Sequence, residues 1–352
     1  MEYTENQLQS MFAEAERVLA AGELVKASEM FATLTEHEVS APFAYYRLAS
    51  IVNITGDPVT SKKLYYKAFD AKPDILGEVL PQGHANRGYV FPGMQYEPAQ
   101  DRCPLCGGEG KPRWCYVLFE AVSGEALSGE GADYNPVRLW MHCEACNHMY
   151  AEEFPVQEFK PANDKDKLSG RQPNTGFFAI YADILSRIKN HTSGNELLEI
   201  GIGGNECILT AREMGYNVFG LDIAEGNVEV AKKYGINAEA NDFMKFTPNQ
   251  KWDVVIMGDV IEHISDPVAG LEKVCSMLNP GGCLWVSTPN FESAFSSVTG
   301  HLDAMRRIDS HKNYFSRDSL YMLLQKYNLK PVDYRISRHY NGCMEVVAVK
   351  EA

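Results

Sequence analysis

Residues 197–231, LLEIGIGGNECILTAREMGYNVFGLDIAEGNVEVA, constrain the fold more than any other stretch of this chain. They run from an apolar strand through a glycine turn and a helix into a second strand that ends at Asp222. That order fits a nucleotide-like ligand lying across the carboxyl edge of a parallel sheet.

The alternation continues to the C-terminus. Strands are expected over 196–202, 217–223, 236–240, 252–257 and 282–287, with helices over 206–215, 226–234, 267–278 and 317–327. Residues 176–190, GFFAIYADILSRIKN, carry apolar side chains at helical spacing ahead of the first strand. Two closing strand-like runs, 331–337 and 344–350, flank Arg338-His339-Tyr340-Asn341-Gly342, so an antiparallel hairpin ends the βαβα series.

With 352 residues, 45% hydrophobic and 23% charged, the chain can hold two or three globular domains. Its net charge of -14 is spread along the sequence, and no run of lysines or arginines forms a phosphate-tracking stripe. Nucleic acid is therefore a disfavoured partner. The opening MEYTENQLQSMF lacks a charged-then-apolar signal pattern, and no run of about 18 apolar residues occurs. The expectation is a cytoplasmic protein with no membrane insertion.

The first 80 residues repeat at an offset of 34: Gly22 matches Gly56, Ala27 matches Ser61 and Phe31 matches Tyr65. With Leu48, Ala68 and Pro73 in the second copy, the segment resembles tetratricopeptide repeats. Two units are too few for a self-standing solenoid, so the segment is expected to pack on a neighbour or a protein partner, an ordinary helical hairpin being the alternative. Residues 81–101 read as a linker or a loop laid over a surface, and 160–175 as a charged linker into the last domain.

Two C-x-x-C pairs, Cys103/Cys106 and Cys143/Cys146, have the spacing of two zinc knuckles. Four thiolates close a tetrahedron, so a structural Zn2+ is expected, with redox-active pairs as the competitor. A site closed in this way has no open coordination position for catalysis. Strands over 113–122 and 136–142 would make the module a small β zinc ribbon; Cys115 and His148 are spare donors nearby, read as packing or surface residues.

Gly201 and Gly203 let the backbone approach a ligand, and the following helix offers free N–H groups. A G-x-G-x-x-G fingerprint counted from Gly201 needs glycine at 206, where Glu206 would oppose a pyrophosphate. Asp222 suits a carboxylate that accepts both hydroxyls of a ribose. Glu199-x-Gly201-x-Gly203 instead resembles the first motif of class I S-adenosylmethionine-dependent methyltransferases, with Asn205 where that family often has a further glycine. The resemblance implies that Asp222 holds the ribose, Ile223 packs on the base, Asp242 holds the adenine amino group and the Phe243 backbone meets the ring.

Three later segments, residues 258–267 from Gly258 (GDVIEHISDP), 278–282 (LNPGG) and 287–290 (STPN), look like the branch that contains the ubiquinone-biosynthesis O-methyltransferases and many sugar and natural-product methyltransferases. The likeness extends through 311–316 (HKNYFS) to the final hairpin, about half the chain. It implies an α/β fold with a Rossmann-like seven-stranded sheet at the C-terminus, S-adenosylmethionine as methyl donor, and a small-molecule or saccharide acceptor methylated at oxygen by in-line displacement. Methyl transfer to a hydroxyl is helped by a base. His263 stands at the carboxyl end of the fourth strand, and His311 and Tyr314 lie in a segment expected to fold over the acceptor. A divalent cation on Asp259, Glu262 and His263 is the alternative to a simple base.

The expected organisation is helical repeats at 1–80, a zinc ribbon at 98–158 and the S-adenosylmethionine-binding domain at 172–352. An RNA methyltransferase and an interaction scaffold with a degenerate cofactor-sensing domain are the competing readings. The acidic balance opposes the first, and an intact set Glu199, Gly201, Gly203, Asp222 and Asp242 opposes the second.

Overall fold

The structure is a computed structural model that describes residues 3–93, 100–118, 136–153, 170–308 and 310–351. It opens with four helices, α1 (Glu5–Ala20), α2 (Leu24–Leu34), α3 (Ala41–Thr55) and α4 (Pro58–Ala71), and a single turn, α5 (Leu76–Val79). Thr4 and Gln7 form a capping box on α1, and Asp57 caps α4 just ahead of Pro58. The offset seen in the sequence has a structural counterpart. Gly22 and Gly56 both adopt positive φ (80° and 99°) after α1 and α3, and Ala27, Ser61, Phe31 and Tyr65 are all buried. Phe91, from the loop that follows, packs on Phe69 and Tyr66, while 94–99 of the expected linker lie outside the described residues.

The helices rest on a small antiparallel sheet of β1 (Lys111–Val117), β2 (Val137–Cys143) and β3 (His148–Ala151). Asn53 of α3 accepts a hydrogen bond from the Cys115 backbone at 2.8 Å, and Lys62 of α4 reaches Glu152 and Glu153 at 2.7 and 2.5 Å. The cysteine pairs flank this sheet. Residues 119–122 of the expected first strand lie outside the described residues, as does 160–169 of the second linker. Strand β3 has no counterpart in the sequence reading, because four residues are too few to establish a period.

The last part is a seven-stranded sheet. Strands β4 (Glu196–Ile200), β5 (Asn217–Asp222), β6 (Asn237–Ala240), β7 (Trp252–Gly258) and β8 (Leu278–Pro289) run parallel to one another. A two-residue strand, β9 (Asn313–Tyr314), and then the hairpin β10 (Leu329–Ile336) and β11 (Cys343–Lys350) follow. Within the seven-stranded sheet the order is β10-β11-β8-β7-β4-β5-β6, with β11 antiparallel to both neighbours. Helices α6 (Phe178–Ile188), α7 (Glu206–Glu213), α8 (Glu225–Lys233), α9 (Pro267–Met277) and α11 (Arg317–Lys326) accompany the strands, with a short α10 (Ala294–Thr299) after β8. The α/β class and the Rossmann-like sheet expected from the sequence are those observed.

Central strands are covered on both faces, which is why Leu197, Leu198 and Val254–Met257 are buried without alternation. Because β4 has β5 on one side and β7 on the other, chain connections leave it in opposite directions. A crevice therefore opens at its carboxyl end, where such sheets bind ligands. The turn at 201–205, Asp222, residues 241–243 and the segment after Gly258 all belong to that edge. Strand β9 does not join this sheet: it pairs with β3, at Met149↔Tyr314 and Tyr150↔Asn313. Among the described residues, no helix is long and apolar enough to cross a membrane.

Candidate active site

At the end of β4 the backbone turns through Gly201 (φ 77°) and Gly203 (φ 47°), both in the left-handed region. A Cβ on Gly201 would come within 2.8 Å of Val260 Cγ2, so this position needs glycine for space as well as conformation. Asn205 also has positive φ (73°), which asparagine tolerates better than most residues; that explains how it replaces a glycine before α7. Its side chain, fully buried, donates to the carbonyls of Gly203 and Asn227 at 3.4 and 3.3 Å and so holds the turn from inside.

Asp222 closes the turn from the second strand. Its Oδ2 accepts from the Gly203 N–H at 3.0 Å and from Asn227 Nδ2 at 3.2 Å, and Oδ1 accepts from the Ala224 N–H at 2.8 Å. These local bonds fix the carboxylate at the crevice. Glu199 is buried beneath the turn with no hydrogen-bond partner for Oε2. Burial pushes its carboxyl well above the usual range, and the neighbouring charges of Glu206 and Asp222 push the same way. A partnerless buried carboxylate oxygen beside two further acidic side chains suits a ligand with a cationic group and hydroxyls, and S-adenosylmethionine has both.

Glu206, where a dinucleotide site would have glycine, accepts a hydrogen bond from the Asn174 N–H at 2.6 Å. Arg171 N–H likewise donates to Asn227 at 2.9 Å, so the loop before α6 lies against the turn. Ile223 is 45% exposed, a surface on which a base could pack. Asp242 caps its own turn through the Met244 N–H at 2.8 Å, and Phe243 is buried beside it. Gly258 sits under the Trp285 ring, 3.3 Å from where its Cβ would be.

Beyond Gly258, Asp259 takes a positive φ of 52° and its carboxylate accepts from Ser287 Oγ at 2.9 Å; burial pushes it up to about 6. Oδ1 of Asp259 is thus tied to β8, and among the described residues Asp259 is not in the group of donor atoms that converges with Glu262 and His263. His311 takes its place. One donor atom each from Glu262, His263 and His311 lies within 4.8 Å of the others. Glu262 is fully buried, accepts from Thr288 Oγ1 at 3.0 Å, and has an Oε1 with no partner.

The imidazoles of His263 and His311 meet edge to face, centroids 4.9 Å apart. Each Nδ1 lies against a carbonyl, Ser310 at 3.0 Å and Met305 at 3.1 Å. A carbonyl only accepts, so Nδ1 carries the proton in both rings and each Nε2 keeps a lone pair. Burial lowers His263 to about 4 and His311 well below the ordinary histidine value, so both are neutral at pH 7. Two neutral imidazoles and a carboxyl this close can relay a proton. Tyr314 is not part of the group. Its hydroxyl donates to the fully buried Asp303 at 2.6 Å, its ring packs between Trp140 and Phe291, and burial raises its pKa well above the usual tyrosine value.

The cysteine pairs converge in space. All four sulfurs lie within 4.8 Å of one another, with Cys103 and Cys146 Sγ at 3.5 Å and Cys106 and Cys143 Sγ at 3.5 Å. Zinc–thiolate bonds of about 2.3 Å in a tetrahedron need sulfurs roughly 3.8 Å apart, so the donor set fits the ion. Cys115 and His148, the spare donors, are both fully buried in the packing.

Sequence reasoning missed Asn205 and Asn227 as supports of the turn, although an asparagine at a glycine position was a signal for the first. It also missed the grouping of Glu262 with His311. Those two are 49 positions apart, and no local pattern joins them.

Residues 175–334 match a protein-family model described as "Methyltransferase domain". That match covers 160 of the 352 residues, all in the C-terminal part of the chain. Similar curated proteins include the ubiquinone biosynthesis O-methyltransferases of Cereibacter sphaeroides, 33% identical over 153 residues, and of Ruegeria pomeroyi, 32% identical over 157 residues. Each alignment covers 40% of this chain and 62% of the relative, so the chain spans less than two thirds of those proteins. Among solved structures, the N-methyltransferase NodS of Bradyrhizobium japonicum, bound to S-adenosylhomocysteine, is 13% identical with a TM-score of 0.41, over 51% of this chain and 89% of that one. The magnesium protoporphyrin IX methyltransferase of Synechocystis is 14% identical with a TM-score of 0.41, over 50% and 84%.

Proposed function

We propose that this chain transfers the methyl group of S-adenosylmethionine to a hydroxyl of a small molecule or saccharide. The observation that carries the reading is the pairing of Asp222 with the Gly203 N–H, next to a Glu199 oxygen that has no partner in the fold. Bound at the crevice, the sulfonium supplies an already activated methyl group. The protein's own residues then have to bind, orient and exclude water. Glu199 and Asp222 hold the amino-acid and ribose portions, Asp242 and the Phe243 backbone hold the base, Ile223 covers it, and Gly201, Gly203 and Gly258 leave room.

His263 and His311 face the acceptor side. With Nδ1–H tied to a carbonyl, Nε2 accepts the hydrogen bond of an acceptor hydroxyl and takes its proton as the C–O bond forms. Burial makes both imidazoles weak bases, which favours a hydroxyl more acidic than a simple alcohol. Tyr314 supports this segment through Asp303.

The division into helical repeats at 1–80, a zinc ribbon at 98–158 and the catalytic domain at 172–352 belongs to the same proposal. Cys103, Cys106, Cys143 and Cys146 hold a structural Zn2+, and the tetratricopeptide-like helices present a surface to a protein partner. Calorimetric titration of the zinc-loaded full chain with S-adenosylmethionine tests the central claim. One site per chain is expected, and no binding by folded protein would overturn it.

A further inference from the structure

Strand β9 has two edges, and each is held by a different part of the molecule. On one side β3 of the small sheet pairs with it, and the Ala151 N–H donates to the Lys312 carbonyl at 2.9 Å. On the other side the Lys312 N–H donates to the Glu262 carbonyl at 2.8 Å, and Asn313 Nδ2 donates to the Ile264 carbonyl at 2.7 Å. Asn313 therefore sits between the cysteine module and the segment that carries His263.

Further bonds run the same way. Arg138 of β2 donates to the carbonyls of Ile308 and His311, Trp140 Nε1 to the Arg306 carbonyl at 3.0 Å, and Ser316 Oγ to the Asn147 carbonyl at 2.7 Å. Asn147, at positive φ, immediately follows Cys146. Of the carbonyls that orient the two imidazoles, that of Ser310 lies within the stretch held by these bonds and that of Met305 directly adjoins it.

One of the contacts is wholly interior. His148 and Asn313 are both fully buried, with His148 Nε2 and Asn313 Oδ1 3.1 Å apart. Asn313 uses its amide N–H on Ile264, so its Oδ1 is the acceptor and His148 Nε2 carries the proton.

We propose that His148 and Asn313 are positioning residues through which the four-cysteine knuckle braces the His263–His311 pair, leaving the methyl-donor side independent of it. The inference rests on the reading of the cysteines as a zinc site and of the histidines as facing the acceptor. The knuckle fixes the path of residues 146–148, His148 and β3 fix β9, and β9 fixes the carbonyls that set both rings. Among the described residues, the glycine turn, Asp222 and Glu199 take no hydrogen bond from the module.

The test is amide hydrogen exchange on the full chain, with zinc content and S-adenosylmethionine affinity measured on the same samples. Chelation of the metal, and separately His148→Leu, should speed exchange across 311–316 by about tenfold or more. Peptides over 199–222 should keep their protection, and S-adenosylmethionine affinity should stay within about twofold. His148→Gln, which keeps an N–H donor near Asn313, should restore the slow exchange. Nitrogen-15 spectra should show His263 and His311 losing their single Nδ1–H tautomer in His148→Leu and regaining it in His148→Gln. Unchanged exchange at 311–316 after His148→Leu overturns the proposal, as does equal acceleration over 199–222. A chain that binds no zinc defeats the zinc reading alone, because the two His148 variants still decide whether the brace exists.

Discussion

His263 and His311 stand edge to face with ring centroids 4.9 Å apart, 48 positions apart in the chain, and burial is the main reason both are held neutral. His311 has no exposed surface of consequence and would meet a charged His263 across a dry contact. The pair's protonation is therefore tied to folding.

That link fixes a pH dependence. Both folded-state values lie below the ordinary histidine value near 6.5, so on acidification the unfolded chain binds protons that the folded chain does not. The contribution is fully present above about pH 6.5 and is lost as pH falls from there toward 4. Replacing both residues by glutamine should narrow the stability loss between pH 7 and pH 5 by about 2–4 kcal/mol relative to the parent chain, measured by urea unfolding at each pH. An unchanged difference would show that the imidazoles titrate freely.

Asp222→Asn keeps an acceptor oxygen for the Gly203 N–H and removes the charge. S-adenosylmethionine affinity should fall by about tenfold or more, roughly 1.4 kcal/mol, and Tm should fall modestly because the amide nitrogen then faces the Ala224 N–H. Calorimetry and thermal unfolding together read this out, and wild-type affinity in the variant would remove Asp222 from the ribose role.

The two glycines of the turn should differ. Gly201→Ala has both a positive φ and a 2.8 Å collision with Val260, whereas Gly203→Ala has the φ and open space. The strained conformation alone costs about 1–2 kcal/mol, so Gly203→Ala should lose about that much and Gly201→Ala more, by denaturant unfolding.

Tyr314→Phe removes the 2.6 Å hydrogen bond from the hydroxyl to Asp303 and leaves Asp303 short of a donor. Destabilisation of about 1–3 kcal/mol is expected with S-adenosylmethionine binding unaltered. A stable variant that has lost methyl transfer would instead return Tyr314 to the chemistry.

Metal content should follow the cysteines. Cys143→Ser is expected to abolish zinc retention after gel filtration and to lower Tm, while Cys275→Ser, outside the cluster, retains about one zinc per chain by atomic emission. Equal zinc in both variants would refute the four-cysteine site.

Much of the C-terminal architecture was readable along the chain because its signals are local. A strand buried on both faces reads as an unbroken apolar run, as at 252–257, and a turn that needs positive φ selects glycine, as at Gly201 and Gly203. Asp222 was legible because it ends a strand a fixed distance beyond that turn. The Cys103/Cys106 and Cys143/Cys146 pairs were legible from spacing alone, since a thiolate pair on one knuckle is a local motif.

What the tertiary structure decided is everything that depends on residues meeting across long separations. It placed Asp259 against Ser287 and grouped His311 with Glu262 and His263. It also turned Tyr314 toward Asp303, and paired β9 with β3, so that a strand from the C-terminal part completes the sheet of the cysteine module. Two-residue and four-residue strands carry no period, and a hydrogen bond such as His148 to Asn313 leaves no trace in either residue's neighbours. Sequence fixes local conformation through sterics and burial; which distant groups share a site follows only when the sheets close on each other and leave each buried donor one acceptor within reach.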